Sequence, residues 1–268
     1  MHPIVILTGG TSGIGLAAAE ALRARGCVVY EFSRRGAPQD PHHRGVDVTD
    51  EAAVRAAVAE ILALEGRIDI LVNNAGFGIS GAVEMTDPAD AHRLMEVNLF
   101  GMDNLIRAVL PAMRRAGSGR IVNVSSVAGV FPIPFQAWYS ASKAAVRAMT
   151  VALANEVAPY GIGVCDVLPG DIRTGFTAAR KKSAAGDGLR RAHRPLRGAH
   201  GEGRAGRHGS RRRRAVHRPG GTEEAGETPL RHRLELPVPG VPGPAAALWR
   251  RPPAAVPALC EVGWENWN

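Results

Sequence analysis

The first 178 residues alternate short, wholly apolar runs with longer segments in which apolar residues recur every three or four positions. Wholly apolar runs are typical of parallel strands buried on both faces, and the longer spacing is typical of amphipathic helices. The apolar runs predict strands near residues 4, 28, 45, 69, 121 and 163. The predicted helices are Ile14–Arg25, Glu51–Leu64, Ala89–Arg115 and Tyr139–Val157. Strands that alternate with helices predict an α/β fold, a doubly wound parallel sheet of the Rossmann-like type.

This alternation stops soon after Arg180. Residues 190–221 show no helical or alternating period of apolar positions, and residues 236–257 are rich in Pro and Ala. Such composition is typical of chain that builds no packed core. We therefore predict one dinucleotide-binding catalytic domain over residues 1–180. The remaining residues, 181–268, are predicted to be a basic tail rich in Pro, Arg and Gly that is not a folded domain.

The excess positive charge lies in this tail. The formal net charge is +8, yet residues 1–179 hold 15 Lys and Arg against 17 Asp and Glu, whereas residues 180–268 hold 18 against 8. A cluster of basic residues can neutralise nucleic-acid phosphates. However, residues 190–218 contain no Phe, Tyr or Trp side chain on which a base could stack. We expect no nucleic-acid partner.

Two other interpretations of the tail stay open, a genuine disordered extension and a shifted reading frame. We favour the shifted frame, because Arg, Ala, Gly and Pro are encoded by GC-rich codons. With suitable synonymous codons, a shift of one nucleotide turns Arg191–Ser210 into a segment with apolar residues at helical intervals. The sixth strand would then be an exposed sheet edge. A homo-oligomer is possible, but we expect the tail to compromise it, together with solubility and turnover.

The cysteines indicate neither a disulfide framework nor a metal site. Cys27, Cys165 and Cys260 are odd in number and far apart. We expect Cys27 and Cys165, which fall in apolar strands, to be buried thiols. No apolar run is long enough to cross a membrane, and none has the flanks of a signal peptide. We expect a cytoplasmic protein with no membrane span and no metal.

A glycine-rich turn, TGGTSGIG, joins the first strand to the first helix. Glycines let the backbone approach a pyrophosphate closely, and a helix N-terminus favours its negative charge. A plain tight turn has similar composition, but the position between strand and helix favours a dinucleotide site. The predicted cofactor contacts of this turn are Gly9, Thr11, Ser12, Gly13, Ile14 and Gly15.

The residues that end the second strand distinguish the two nicotinamide cofactors. Folds that bind NAD commonly carry an acidic residue here, which holds the ribose 2′-hydroxyl. This chain carries Ser33, Arg34 and Arg35 instead. Because an arginine can bind a 2′-phosphate through two hydrogen bonds, the sequence favours NADP over NAD. Two solvated surface arginines are the alternative interpretation.

A tyrosine and a lysine four residues apart, Tyr139 and Lys143, share one face of their predicted helix. A nearby ammonium group lowers the pKa of a phenol from its usual value of about 10. Such a tyrosine could exchange a proton with an alcohol or carbonyl, while Ser126 holds the substrate oxygen. Hydride transfer with a nicotinamide would complete an oxidoreduction.

The motifs follow one another in the order of a known family. They are TGGTSGIG, DVTD, NNAG, VNLFG, VNVSS, YSASK and PGDIRTGF. Over roughly residues 3–178 the chain thus resembles the short-chain dehydrogenase/reductases. The resemblance implies a catalytic tetrad, with Ser126 chosen over Ser125 by its spacing to the tyrosine. The tetrad residues are Asn98, Ser126, Tyr139 and Lys143.

The same resemblance implies further cofactor contacts. Asp47 and Val48 would meet the adenine, and Lys143 would hold the nicotinamide ribose beside Tyr139. The turn Asn74, Ala75 and Gly76 would line the cofactor. The segment from residue 169 to residue 174 would flank the nicotinamide, through Pro169, Gly170, Ile172 and Thr174.

The expected pocket walls are residues 77–85, residues 127–138 and the segment after Thr174. The stretch VFPIPFQAW is apolar and aromatic, which favours a hydrophobic alcohol or ketone of the steroid, retinoid or acyl type. The sequence therefore predicts an NADP-preferring oxidoreductase that interconverts a secondary alcohol and a carbonyl. A non-catalytic dinucleotide-binding or scaffold protein is the alternative.

Overall fold

The structure, a computed structural model, describes residues 2–34, 36, 39–172, 175–176 and 179–183. Its strands are β1 (Ile4–Thr8), β2 (Val28–Ser33), β3 (His43–Gly45), β4 (Ile70–Asn73), β5 (Ile79–Ser80), β6 (Gly119–Val124), β7 (Ile162–Val167) and β8 (Lys181–Lys182). Its α-helices are α1 (Gly13–Ala24), α2 (Glu51–Glu65), α3 (Pro88–Met95), α4 (Gly101–Ala116) and α5 (Ala137–Val157). The predictions made for residues 184–268 lie outside the described part of the chain.

Six strands form one parallel sheet in the order β3-β2-β1-β4-β6-β7. The predicted doubly wound α/β fold is confirmed. The chain winds from β1 to one side through β2 and β3, then returns to add β4, β6 and β7 on the other side. Ligands in such sheets bind at the carboxyl ends of the strands, next to this reversal. The glycine-rich turn after β1 and the NNAG turn after β4 both lie there.

The sheet is covered by apolar side chains on both faces, as the wholly apolar strands predict. The larger cluster includes Ile6, Phe32 and Ile121, which pack against α2, α4 and α5. The smaller cluster lies toward α1, and Val5 and Leu7 of β1 belong to it. Successive residues of β1 therefore point to opposite faces of the sheet.

One predicted helix is divided. The pattern over residues 89–115 predicts a single helix, whereas the structure has α3, a π-helical turn over Glu96–Phe100, and α4. A π-turn adds a residue without ending the helix, so it leaves little trace in the apolar spacing. Gly101 follows this turn, and a Cβ at that position would come within 2.6 Å of the Val48 side chain. The turn thus lets the helix pass close to the segment after β3.

Two smaller expectations also change. Cys27 and Cys165 are half-buried rather than buried, and burial raises the pKa of the Cys27 thiol. Regular structure continues two residues past Arg180, because β8 pairs in parallel with β5. Within the described residues, no helix is long and apolar enough to cross the membrane.

Candidate active site

The glycine-rich turn has the shape of a phosphate cradle. Gly9 and Gly13 adopt φ values of +71° and +55°, which residues with a Cβ rarely take. Gly15 is buried against the turn, and a Cβ there would lie 2.2 Å from the Gly9 carbonyl oxygen. Thr11, Ser12 and Gly13 are exposed, and the Ser12 side chain does not cap α1. The N-terminal amides of α1 therefore remain directed toward an incoming anion.

The NNAG turn is tied directly to this cradle. The backbone amides of Asn74 and Ala75 donate to the Thr8 hydroxyl at 3.0 and 2.9 Å. The Asn74 side-chain amide donates to the Thr8 and Gly9 carbonyl oxygens, both at 3.0 Å. The next residue, Gly76, lies beside the catalytic candidates, since a Cβ there would be 3.6 Å from the Lys143 Nζ. One short turn thus connects the two ends of the site.

The end of β2 contains a carboxylate that the sequence analysis missed. Glu31 is 6% exposed, and its Oε1 accepts a 2.7 Å hydrogen bond from the backbone amide of Gly10. Its Oε2 accepts from the Ser33 hydroxyl at 3.1 Å and contacts His43 Nδ1 at 2.7 Å. Arg34 is exposed beside this group, and Arg35 lies outside the described residues. A charged residue inside an otherwise apolar strand was the signal available in the sequence.

The predicted adenine contacts, Asp47 and Val48, follow β3. Burial would raise the pKa of Asp47, but hydrogen bonds from Thr49 and Arg93 lower it below the usual value. The Arg93 guanidinium donates to Asp47 Oδ2 at 3.0 Å, so an arginine from α3 fixes this carboxylate. Val48 is buried, and its carbonyl oxygen accepts a hydrogen bond from the Asn104 side chain at 3.0 Å.

Asn98 lies in the π-helical turn and is 3% exposed. Its Oδ1 accepts from the Phe77 amide, and its Nδ2 donates to the Phe77 carbonyl oxygen, both at 3.0 Å. The same Nδ2 donates to the Ser142 hydroxyl, also at 3.0 Å. The side chain therefore fastens the residue after the NNAG turn to α5, the helix that carries Tyr139 and Lys143.

Two adjacent serines after β6 have different surroundings. The Ser125 hydroxyl is buried and donates to the Lys143 carbonyl oxygen at 2.8 Å. The Ser126 hydroxyl donates to the Pro169 carbonyl oxygen at 3.4 Å and accepts from the Ala128 amide at 3.1 Å. Ser126 is close enough to the Tyr139 side chain to lower the pKa of the phenol. Ser126, not Ser125, thus stands beside the predicted proton donor.

Tyr139 and Lys143 lie on the same side of α5, 7% and 5% exposed. The Lys143 Nζ is 6.0 Å from the centre of the Tyr139 ring and donates to the Val124 carbonyl oxygen at 2.7 Å. Burial lowers the pKa of Lys143 to about 8, because its ammonium has lost water and gained no carboxylate partner among the described residues.

The expected lowering of the Tyr139 pKa by Lys143 is not what the structure shows. Burial raises the pKa of Tyr139, and this effect outweighs the influence of Ser126 and the charge of Arg180, which both lower it. The sequence spacing gives the shared helix face but neither the depth of burial nor the distance of the ammonium group. Those two quantities decide the direction of the shift.

Arg180 is a second residue that the sequence analysis did not identify. Its guanidinium carbon lies 5.6 Å from the centre of the Phe176 ring, and Phe176 in turn lies 5.7 Å from the Tyr139 ring. Its backbone lies just before β8, so the pairing of β8 with β5 brings it to the site. No local motif surrounds it in the sequence.

The other predicted contacts follow β7. Pro169 is buried and accepts hydrogen bonds from Ser126 and Val127, while Gly170 and Ile172 are exposed. Thr174 lies outside the described residues. The predicted pocket walls do meet at Tyr139, where Ile79, Leu94 and Ala128 form a buried apolar cluster. Partly buried side chains packed against it are Phe77, Ile133 and Phe176.

These residues fit a dinucleotide. The cradle has room only for glycine at Gly15, the amides of α1 are open to an anion, and the Asn74 and Asn98 side chains hold the connecting turn in place. The arrangement extends from Glu31 and Ser33 at one end to Tyr139 and Lys143 at the other. No cluster of metal ligands occurs among the residues that the structure describes.

Comparison with known proteins places most of this region in one family. The model of the short chain dehydrogenase family matches residues 3–185. A 3-ketodihydrosphingosine reductase of Bacteroides thetaiotaomicron is 46% identical over 186 residues, which cover 68% of this chain and 69% of that protein. The dehydrogenase/reductase SDR family member 7B of Xenopus tropicalis is 36% identical over 203 residues, covering 69% of this chain and 65% of that protein.

A solved structure has the same fold. The crystal structure of a short-chain dehydrogenase from Streptomyces avermitilis superposes with a TM-score of 0.69 and 38% identity, covering 74% of this chain and 76% of that one. The family match ends at residue 185, close to the last described residue. The similarity therefore covers the sheet and every catalytic candidate.

Proposed function

This chain belongs to the short-chain dehydrogenase family of NAD(P)-dependent oxidoreductases, and we propose that it interconverts a secondary alcohol and a carbonyl with a preference for NADP(H). The observation that carries the proposal is that Tyr139 and Lys143 are both buried on one side of α5, with Ser126 beside the Tyr139 side chain. These groups lie at the carboxyl edge of the sheet, next to the glycine cradle. NADP(H), when bound, supplies the hydride transfer.

The proton steps follow from the side chains present. In reduction, the Tyr139 hydroxyl donates its proton to the substrate oxygen, which the Ser126 hydroxyl holds in place. The raised pKa of Tyr139 keeps that proton on the tyrosine at neutral pH, which suits an acid. Lys143 holds the ribose side of the nicotinamide site, and Asn98 positions the connecting turn. In oxidation the same hydroxyl, once deprotonated, accepts the proton from the alcohol.

The preference for NADP(H) is supported by the surroundings of Glu31. A carboxylate at the end of β2 could hold a ribose 2′-hydroxyl and so favour NAD. Here both Glu31 oxygens already accept hydrogen bonds from Gly10, Ser33 and His43. Arg34, which follows Ser33 directly and is exposed, offers a positive charge for a 2′-phosphate. We therefore propose that Arg34 and Ser33 bind that phosphate.

A hydrophobic substrate is supported by the walls around Tyr139. Phe77, Ile133 and Phe176 pack against the buried cluster that contains it, and Phe131, in the segment predicted as a pocket wall, is 73% exposed. The Bacteroides relative, by its name, reduces a keto compound. We propose a ketone or secondary alcohol whose larger part is apolar, of the steroid, retinoid or acyl type.

The Tyr139→Phe variant tests the proposed activity. We expect the wild-type chain to oxidise apolar secondary alcohols with NADP⁺, and the variant to lose at least about 100-fold in kcat. The Kd for NADPH should change by less than about threefold, because only a hydroxyl outside the cradle is removed. Equal activity of both proteins, or no turnover with any alcohol of the panel, would favour the non-catalytic dinucleotide-binding alternative.

For the tail we propose a shifted reading frame downstream of codon 180, and the gene sequence tests it. We expect an inserted or missing nucleotide relative to close homologues between codons 180 and 190. An open frame with no such difference would instead support a genuine extension. A cytoplasmic location stays a prediction from the cysteine pattern, and cell fractionation with a tagged copy of the chain would check it.

A further inference from the structure

We propose that the buried pair Glu31–His43 sets the preference between NADP(H) and NAD(H), by keeping the Glu31 carboxylate turned away from the 2′ position of the adenosine ribose. This inference rests on the proposed function, because it assumes that Ser33 and Arg34 bind at that position. Neither residue of the pair belongs to the motifs in the sequence. Only the alignment of β2 with β3 brings the two side chains together.

Glu31 and His43 are neighbours across the β2–β3 ladder, where they are paired in register. His43 Nδ1 lies 2.7 Å from Glu31 Oε2, and the two side chains are 10% and 7% exposed. A carboxylate offers only acceptors, so the imidazole must be the donor in this bond. A buried carboxylate with strong donors is held in a single orientation.

Two glycines pack directly against the side chains of the pair. A Cβ on Gly10 would lie 2.5 Å from the Glu31 Cγ, so the glycine cradle rests directly on this side chain. A Cβ on Gly36 would lie 1.9 Å from the His43 ring, so the loop that carries Arg34 returns across the imidazole. Two glycines thus enclose the pair, one on the pyrophosphate side and one on the 2′ side.

The position of the carboxylate decides what the pair does. Ser33, which donates to Oε2 at 3.1 Å, is the predicted 2′ contact, so the carboxylate lies one hydrogen bond away from that position. A carboxylate freed from His43 would repel a 2′-phosphate and accept a hydrogen bond from a 2′-hydroxyl. His43 therefore acts as a specificity-determining residue without touching the nucleotide.

Binding of NADPH and of NADH, measured by fluorescence titration of the full chain, tests this role without any need for turnover. We expect His43→Ala to raise the Kd for NADPH about tenfold and to leave the Kd for NADH within about twofold, or to lower it. We expect His43→Asn, which restores a donor near Nδ1, to resemble the wild type. Melting temperatures without nucleotide verify that each variant is folded.

Glu31→Gln is the matched control with the opposite sign. It keeps an acceptor for the Gly10 amide but removes the negative charge, so the ratio of NADPH to NADH affinity should stay equal or rise. A purely structural role would shift both Kd values together in both variants, and that result would overturn the inference. So would ratios that move in the same direction in His43→Ala and Glu31→Gln.

The two proposals fail in different ways. If the wild-type chain binds NADH more tightly than NADPH, the proposed NADP preference is wrong. A fall of the NADPH-to-NADH affinity ratio in His43→Ala but not in Glu31→Gln still decides the role of the pair. If the wild-type chain binds NADPH more tightly but His43→Ala leaves the ratio unchanged, only the inference is wrong. If it binds neither nucleotide, both are wrong.

Discussion

The two ends of the site treat buried charge in opposite ways. At the nucleotide end, Glu31 accepts hydrogen bonds from three groups, and Asp47 is held by Thr49 and Arg93. At the catalytic end, Lys143 has one carbonyl oxygen as its hydrogen-bond partner within the described part of the chain, and its pKa falls to about 8. The nucleotide end holds both carboxylates in fixed positions, which suits the binding of a nucleotide whose charge does not change. The second end favours the uncharged forms of Lys143 and Tyr139, the two groups proposed to take part in proton transfer.

The two ends should also differ in how their buried charges affect the stability of the folded state. A buried charge with well-placed partners is tolerated, whereas a buried charge without a counter-ion weakens the folded state. Lys143 and Tyr139 both have pKa values displaced toward their neutral forms, and burial is the main cause for each. Substitutions at the catalytic end should therefore reduce turnover more than stability, while those at the nucleotide end should reduce binding.

The largest effect is expected from Lys143→Met. The variant keeps an unbranched chain of similar length but removes the ammonium from the Tyr139 side of α5, so kcat should fall about 100-fold or more. Lys182→Met, at an exposed lysine of β8, is the control and should keep wild-type activity. Steady-state kinetics with NADP⁺ and an apolar alcohol measures both. If Lys143→Met kept wild-type activity, the proposed difference between the nucleotide end and the catalytic end would be wrong.

Gly15→Ala should act on binding. The added methyl would lie 2.2 Å from the Gly9 carbonyl oxygen and 2.4 Å from the Asn74 Nδ2, so the cradle must deform. We expect the Kd for NADPH to rise at least about 30-fold, a cost of roughly 2 kcal/mol. Gly45→Ala is the control, because a Cβ there meets nothing within 4 Å. Nucleotide titration distinguishes the two, and equal Kd values would show that the cradle does not bind the nucleotide.

The stability of the catalytic end should depend on pH. The Lys143 pKa is about 8 in the folded chain against 10.5 in the unfolded one. The folded state is therefore penalised below pH 8, and the penalty disappears as the pH rises from 8 to 10.5. The full penalty is about 3 kcal/mol. The free energy of unfolding of wild type relative to Lys143→Met should thus increase between pH 7 and pH 10.

Urea denaturation of both proteins at the two pH values gives this difference. Titrations shared by wild type and variant cancel in the comparison, so the change reports on Lys143. A difference that stays constant from pH 7 to pH 10 would mean that Lys143 keeps an ordinary pKa in the folded chain.

The smallest effect is expected from Arg180→Gln. The charge of Arg180 lowers the pKa of Tyr139 against the larger opposing effect of burial. Without the charge of Arg180 the pKa of Tyr139 rises further, so the tyrosine is deprotonated only at higher pH. The increase of the oxidation rate with pH should then also occur at higher pH. A pH profile of kcat/KM measures the shift, with Lys182→Gln as control. A shift to lower pH would contradict the assignment.

Much of this site was accessible from the sequence, because its signals are local. Six strands, the cradle and the Tyr139–Lys143 face follow from apolar spacing and from residues close together in the chain. The Glu31–His43 pair could not be predicted from the sequence, since it depends on how β2 and β3 align. The direction of the Tyr139 pKa shift depends on burial by Phe176 and other distant residues, which no local spacing encodes.

The short β5–β8 pair holds one wall of the proposed substrate pocket in place. Its hydrogen bonds run from the Lys181 and Ser183 amides to the Gly78 and Ser80 carbonyl oxygens, at 3.0 Å each. Side chains add to these main-chain bonds, since Lys181 pairs with Asp90 and the Ser183 hydroxyl lies 3.0 Å from that of Thr86. Proline alone lacks the amide hydrogen, and its arrival at either position would open the wall beside Tyr139.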